Sequence, residues 1–330
     1  MTSLTQIPIS LPDDKTPTKA NIRDIMAIFF PAEWASVDPE TLITSYNKTF
    51  ANSHCVVRRP TPNNDITTEP LKFARSGWGA KVYGLFQTQD GTVRRVDEFV
   101  DTRTLLPEDV EDAGIRGDVT RALAAFHSLG VPLEKEEVDR FHKTLIEGLK
   151  RFQGSEKLKS LGRNAGVDIE EMVNYDLASK VGQVCIHDVQ YINVLVRNNP
   201  SPGDSKVVLI DFEFAMWNCR AFDLGGHFMQ KMFKWYDEES KVANCRRYTG
   251  EEKRHFCEEY AEKWNKWTGD LDTGEQVLAE SELGYLLAVG FDVHNMLCAM
   301  DEEGDGDPLS LVGLKKLFEE FLGQHKEVWG

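Results

Sequence analysis

The run Cys185-Ile186-His187-Asp188-Val189-Gln190-Tyr191-Ile192-Asn193-Val194-Leu195 sets an acid and an amide five residues apart, ahead of an apolar stretch. A loop over 198–204, rich in asparagine, proline and glycine, comes after it. The chain then reads Val207-Val208-Leu209-Ile210-Asp211-Phe212-Glu213-Phe214, a β-prone run carrying two acids near its end. The pattern predicts a hairpin with arms over 184–196 and 206–214. Phosphoryl transfer needs a carboxylate that accepts or orients a hydroxyl proton, and a short set of oxygen ligands that holds Mg²⁺ against nucleotide phosphates. Asp188 suits the first task; Asn193 and Asp211 suit the second, with Glu213 near by. An acid–amide spacing alone arises by chance in most chains, and an acid at a strand end often only forms a turn. The weight comes from the adjoining run Asn218-Cys219-Arg220-Ala221-Phe222-Asp223-Leu224-Gly225-Gly226-His227-Phe228.

Outward from this hairpin the texture changes. Residues 1–17 are polar, carry Pro8, Pro12 and Pro17, and read as a flexible leader. A helix is expected over Ile22–Phe30, with Ile22, Ile25, Met26 and Phe29 on one face. Thr49–Arg59 is β-like. Ala80–Phe86 and Thr92–Val100 read as two strands joined at Gln89-Asp90-Gly91, an aspartate-glycine turn. From Pro107-Glu108-Asp109, a favourable first turn, a helix is expected to run to His127, and a second over Glu136–Phe152. Further helices are expected near 226–237, 251–267, 279–299 and 309–322. Trp264 and Trp267, three apart, read as core and interface residues.

Composition narrows the function. The 330 residues are 41% apolar and 28% charged, with 38 Lys plus Arg against 54 Asp plus Glu, a formal charge of −16. Such a field repels phosphate backbones and anionic lipid, so nucleic acid and membrane are poor partners. No apolar run is read as approaching the ~20 residues that span a bilayer, and the first residues do not form a secretory signal. Six scattered cysteines without a CxxC pair fit reduced thiols. The expected setting is the cytoplasm and the expected partner a small molecule, with a homodimer left open.

The quoted motifs, His187 through Leu195, Ile210-Asp211-Phe212-Glu213, and Asn218, Arg220, Phe222 and Asp223, resemble the catalytic-loop and metal motifs of choline/ethanolamine kinases. Those belong to the group that includes aminoglycoside phosphotransferases. The resemblance implies an α+β, two-lobed protein-kinase-like fold with a small β-rich N-lobe and a large helical C-lobe. It implies a nucleotide-binding lobe over 1–100 and a helical catalytic and substrate lobe over 101–330. By the same resemblance Asp188 is the catalytic base, Asn193 and Asp211 are Mg²⁺ ligands, and Glu213 supports them. ATP is then the phosphoryl donor, its adenine read by backbone near Glu98, Phe99 and Val100, with Asn52 and Arg58 on the nucleotide side. Gln190, Gln230, Trp235, Tyr285 and Asp292 fall on the acceptor side. The implied reaction is phosphorylation of a small alcohol, an amino alcohol first, with another hydroxylated metabolite or an aminoglycoside-like compound as second reading. A non-catalytic scaffold is the third.

The chain departs from the family pattern in four places. Ile186 stands where the family has histidine. The stretch 46–55 lacks the glycines that let backbone close on phosphate. Residues 60–72 are short for the usual basic strand and Glu-bearing helix: either this lobe is reduced or residues are absent from it, and a mass above 37.4 kDa would indicate the latter. On the acceptor side, Gln230 replaces a glutamate, and Val289 and Asp292 replace two tryptophans. Trading cation–π rings for a carboxylate favours acceptors with N–H donors over a trimethylated ammonium.

Overall fold

The computed structural model describes residues 4–11, 17–41, 43–44, 50–51, 55–58, 73, 76–91, 93–129, 147–148, 150–152, 154–165, 191–210, 219–235, 237–303 and 308–329. In chain order the elements are β1 (Leu4–Gln6), α1 (Lys19–Phe29), α2 (Pro31–Trp34), β2 (Ile43–Thr44), β3 (Phe50–Ala51), β4 (Cys55–Arg58), β5 (Val82–Gln87), β6 (Val93–Glu98), β7 (Thr102–Thr104), α3 (Ala113–His127), α4 (Glu156–Ala165), β8 (Val194–Arg197), β9 (Val207–Leu209), α5 (Arg220–Gln230), α6 (Gly250–Thr268), α7 (Gly274–Glu303) and α8 (Pro308–Trp329). Internal packing separates two units, Met1–Arg103 with Leu195–Glu213, and Thr104–Val194 with Phe214–Gly330.

The first unit is built on a sheet of order β1-β5-β6-β4-β3-β2. Residues 4–9 are part of it, which corrects the expected flexible leader. Leu4, Thr5 and Gln6 pair in parallel with Leu85, Phe86 and Gln87, and Ile7 is buried. The strand adds to an edge whose backbone groups would otherwise need water, and burial of Ile7 adds to the gain. β5 and β6 pair antiparallel around the expected turn, where Gly91 has φ +82°. α1 starts at a capping box between Thr18 and Asn21. Its apolar stripe packs Ile22, Ile25 and Met26 against Ile7, Trp34, Phe86 and Val96. A second sheet has the order β7-β8-β9. The expected hairpin lies here: of its first arm Val194–Arg197 is strand and Tyr191–Asn193 a single 3₁₀ turn, while residues 184–190 lie outside the described residues. Arg197 N–H donates to the Lys206 carbonyl at 2.8 Å across the loop.

The second unit is helical. The helix expected from Pro107 begins instead at Ala113. Asp109–Glu111 forms a separate 3₁₀ turn, and Asp112, extended at φ −69° and ψ 118°, caps α3 through the Ile115 N–H. α3 packs on α6, where Thr120 Oγ1 donates to the Phe256 carbonyl. The helix expected over 136–152 falls mostly outside the described residues. α5 lies against α7, and two glycines make that approach close. A Cβ at Gly225 would stand 2.0 Å from the Tyr285 nitrogen, and one at Gly284 would stand 1.7 Å from the Ala221 carbonyl oxygen. Side chains there would push the helices apart.

α7 corrects the reading of apolar runs. Over Gly274–Asp301 it is long and apolar enough, by length and composition, to cross a bilayer. More than half of that window is buried, against α5, α6 and α8, which is how a core helix passes the same test. The two tryptophans of α6 are not core residues. Trp267 is 38% exposed beneath the Lys263 ammonium, and Trp264 is half-buried, its indole N–H on Asp270.

Candidate functional site

The motif residues of α5 first do structural work. Arg220 forks onto Glu280 at 2.7 and 3.0 Å, pairs with Asp272 and lies over the Trp264 ring. Asp223, fully buried, meets His127 Nε2 of α3 at 2.7 Å, while His127 Nδ1 meets the Tyr260 hydroxyl of α6 at 2.7 Å. These bonds tie the first turn of α5 to α3, α6 and α7.

At the C-terminal end of α5 the chain leaves the helix through Lys231 and doubles back. Lys234 N–H donates to the Lys241 carbonyl and Ala243 N–H to the Met232 carbonyl, both at 2.9 Å, and Phe233 bridges Val242. The Lys241 ammonium caps the bend, donating to the Trp235 and Asp237 carbonyls at 2.8 Å. Phe233 and Trp235 then stack in parallel, ring centroids 4.6 Å apart at 5°. A cavity of about 300 Å³ opens beside them, lined by Thr104, Leu105, Leu106, Pro107, Tyr191, Gln230, Phe233, Lys234, Trp235 and Asp237. This volume suits a small ligand.

The cavity wall is backed by buried polar groups. His227 lies between the Tyr191, Tyr248 and Phe256 rings, with the Tyr248 hydroxyl 3.1 Å from Nε2. Burial, then the Lys231 charge, pull its pKa down to about 3, so the ring is neutral and acts as packing. Lys231 itself is fully buried, its Nζ 3.2 Å from Glu111. That pair joins the end of α5 to the 3₁₀ turn just beyond Leu105–Pro107, so two walls of the cavity are held by one ion pair.

Of the acceptor-side residues expected from sequence, Gln230 and Trp235 line this cavity. Asp292, half-buried on α7, meets Gln230, whose Nε2 donates to its Oδ2 at 3.1 Å. Tyr285 is placed differently: it is buried in helix packing, and its hydroxyl donates to Glu320 of α8 at 2.7 Å. Gln190 lies outside the described residues. Asn193 ends the 3₁₀ turn that begins at Tyr191, half-buried, directly before β8. Asp188, Asp211 and Glu213 lie outside the described residues, and among the described ones no group of three His, Cys, Asp or Glu could hold a metal.

On the nucleotide side, Arg58 and Glu98 sit on neighbouring strands of the first unit, where Cys55 pairs with Glu98 and Arg58 with Arg95. Glu98 N–H donates to the Lys81 carbonyl at 2.7 Å, and its carboxylate accepts the Lys81 N–H. Phe99 is exposed, and the Val100 carbonyl accepts from Thr102 Oγ1. Asn52 lies outside the described residues. Sequence reading missed Phe233, Asp237 and the Leu105–Pro107 wall. The signal for the first two was the run Phe233-Lys234-Trp235, whose alternation marks an extended exit from a helix, and a turn-forming acid just after it.

A family model described as choline/ethanolamine kinase matches residues 63–291. Mouse choline kinase alpha is 23% identical over 228 residues, covering 64% of this chain and 48% of its own. Human choline/ethanolamine kinase is 25% identical over 239 residues, covering 67% of this chain and 57% of its own. The chain thus spans about half the length of the curated relatives it matches. The crystal structure of a choline kinase from Cryptosporidium parvum superposes with a TM-score of 0.60 at 14% identity, covering 93% of this chain and 95% of that one. The α+β architecture is therefore the protein-kinase-like one expected from the motifs.

Proposed function

Because this chain belongs to the choline/ethanolamine kinase family, we propose that it transfers the terminal phosphoryl group of ATP to the hydroxyl of a small amino alcohol. The observation that carries this reading is the cavity of the second unit. Gln230 and Trp235, both assigned to the acceptor side on sequence grounds, come to one wall of it, beside the Phe233 ring. Flat aromatic faces suit an ammonium, and a small volume suits a short alcohol.

In this reading residues 1–100 hold the nucleotide, with Asn52, Arg58 and the Glu98–Val100 backbone on its side, and residues 101–330 hold the acceptor. Asp188 accepts or orients the hydroxyl proton. Asn193 and Asp211, with Glu213 in support, hold Mg²⁺, an oxygen-ligand set of the kind that ion takes. Bound Mg²⁺ neutralises charge on the phosphates as it shifts during transfer. The set agrees with the ion in donor chemistry, since amide and carboxylate oxygens are its usual ligands. Among the described cysteines, Cys219, Cys245, Cys257 and Cys298 form no disulfide, and a cytoplasmic setting belongs to the same reading.

The test is ADP release over a panel of hydroxylated amines, aminoglycosides and neutral alcohols, alongside thermal shift with nucleotide, with and without Mg²⁺. The reading expects turnover of an amino alcohol and a Mg²⁺-dependent rise in Tm with ATP. No turnover together with no nucleotide response would leave a scaffold. Turnover confined to another acceptor class would replace the substrate.

A further inference from the structure

Gln230, which sequence reading places where an acid is expected, lines the cavity as a neutral amide. A carboxylate only accepts, so Gln230 turns its Nε2 to Asp292. The amide brings no charge to the cavity, and Asp292 does not line it. Among the described residues the one carboxylate on the lining is Asp237.

Asp237 is built to stay ionised. Its Oδ1 accepts the Glu239 N–H at 2.7 Å and the Ser240 N–H at 3.0 Å. These bonds hold the carboxyl below its usual range. Both fall on one oxygen, and a carboxylate has about four acceptor sites, so Oδ2 keeps capacity for a ligand. The bend that carries Asp237 is fastened by Lys241 at the Trp235 and Asp237 carbonyls. The stacked Phe233 and Trp235 rings stand on the same lining. A fixed anion beside two π-faces attracts a cation and does nothing for a neutral ligand of the same shape.

We infer that Asp237 supplies the negative charge with which this cavity holds the cationic head of its acceptor. The assignment rests on reading the cavity as the acceptor site. Lys234 lines the same cavity, and its ammonium acts against a cationic ligand. The two residues therefore have opposite effects on one preference.

Asp237→Asn is the decisive variant, because its Oδ1 still accepts both N–H groups while the charge is gone. Asp237→Ser, whose hydroxyl serves the same kind of turn, is the second. Calorimetry on the full chain measures Kd for choline, whose charge is independent of pH, and for its neutral isostere 3,3-dimethyl-1-butanol. Wild type should prefer the cation, Asp237→Asn should lower that preference about tenfold, and Lys234→Gln should raise it. An unchanged preference in both folded Asp237 variants, or none in wild type, overturns the assignment. ADP release measured in parallel keeps the two readings apart. Charge-dependent binding without turnover of any alcohol would sink the kinase reading and keep Asp237 as the cation anchor. Turnover with an unchanged preference would sink Asp237 alone.

Discussion

Gln230 donates its side-chain amide to the Asp292 carboxylate at 3.1 Å, so two positions that sequence reading marked as departures from the family pattern are bonded to each other. The two departures are one arrangement. A glutamate at 230 would face a second carboxylate at hydrogen-bond distance, and two anions that close do not both ionise in a half-buried site.

Restoring the glutamate alone should therefore be harmful. Gln230→Glu raises a carboxyl pKa of the pair in the folded state, so its cost is absent at low pH and grows as pH rises through the carboxylate range. The Tm deficit against wild type should widen between pH 5 and pH 8. Adding Asp292→Asn should remove it. A deficit that is constant with pH, or that survives in the double variant, counts against the pairing.

The phosphoryl-transfer machinery gives its own prediction. Asp188→Asn should lower turnover at least ~10²-fold, the usual size of a general-base contribution. Asp211→Ala should abolish it, as should chelation of Mg²⁺, while Tm without nucleotide stays close to wild type. An Asp188→Asn enzyme with most of its activity would limit that carboxylate to shaping the loop.

Tyr285 separates packing from acceptor binding. Its hydroxyl donates to Glu320, a buried acid also held by Arg247 at 2.8 Å and Lys316 at 2.8 Å. Tyr285→Phe should cost about 1–3 kcal/mol by removing one donor from a buried carboxylate. The acceptor KM should not move, since Tyr285 is not on the cavity lining. A raised KM with unchanged denaturant stability would return Tyr285 to the acceptor site.

Glu252 predicts part of the acid sensitivity. The Arg246 fork, at 2.7 Å to each oxygen, and the Thr249 N–H pull its pKa from 4.5 to about 2 against the opposing effect of burial. A depressed carboxyl stabilises the fold above its unfolded pKa and loses that contribution as pH falls through the folded one. Glu252→Gln should lower Tm at pH 7, with the gap closing between about pH 4.5 and pH 2. Equal gaps at pH 7 and pH 3 would show that the cap alone, without the charge, is what matters.

The local signals were strong where chemistry or periodicity is local. The aspartate-glycine turn, the α1 stripe and the helices α6, α7 and α8 were legible, because each is written in short runs of neighbouring residues. The helix expected near 226–237 instead runs Arg220–Gln230, because the chain turns back after it and Lys234 N–H donates to the Lys241 carbonyl. The family and its α+β class came from short motifs. Other features needed partners distant in the chain. Residues 4–9 look like leader until β5 offers an edge, and α7 passes for a membrane span until α5, α6 and α8 cover it. Tyr285 and Trp235 are both aromatic residues in helix-like sequence, yet one hydroxyl goes to Glu320 and the other ring goes to a cavity. That division depends on helix packing through Gly225 and Gly284 and on the Lys241 bend. By itself the sequence determined the short motifs by which the chain resembles its family. Only the tertiary structure decided that Gln230 and Trp235 line one cavity with Asp237 while Tyr285 does not, because burial and hydrogen-bond partners are set by contacts between distant parts of the chain, as between Gln230 and Asp292, 62 residues apart.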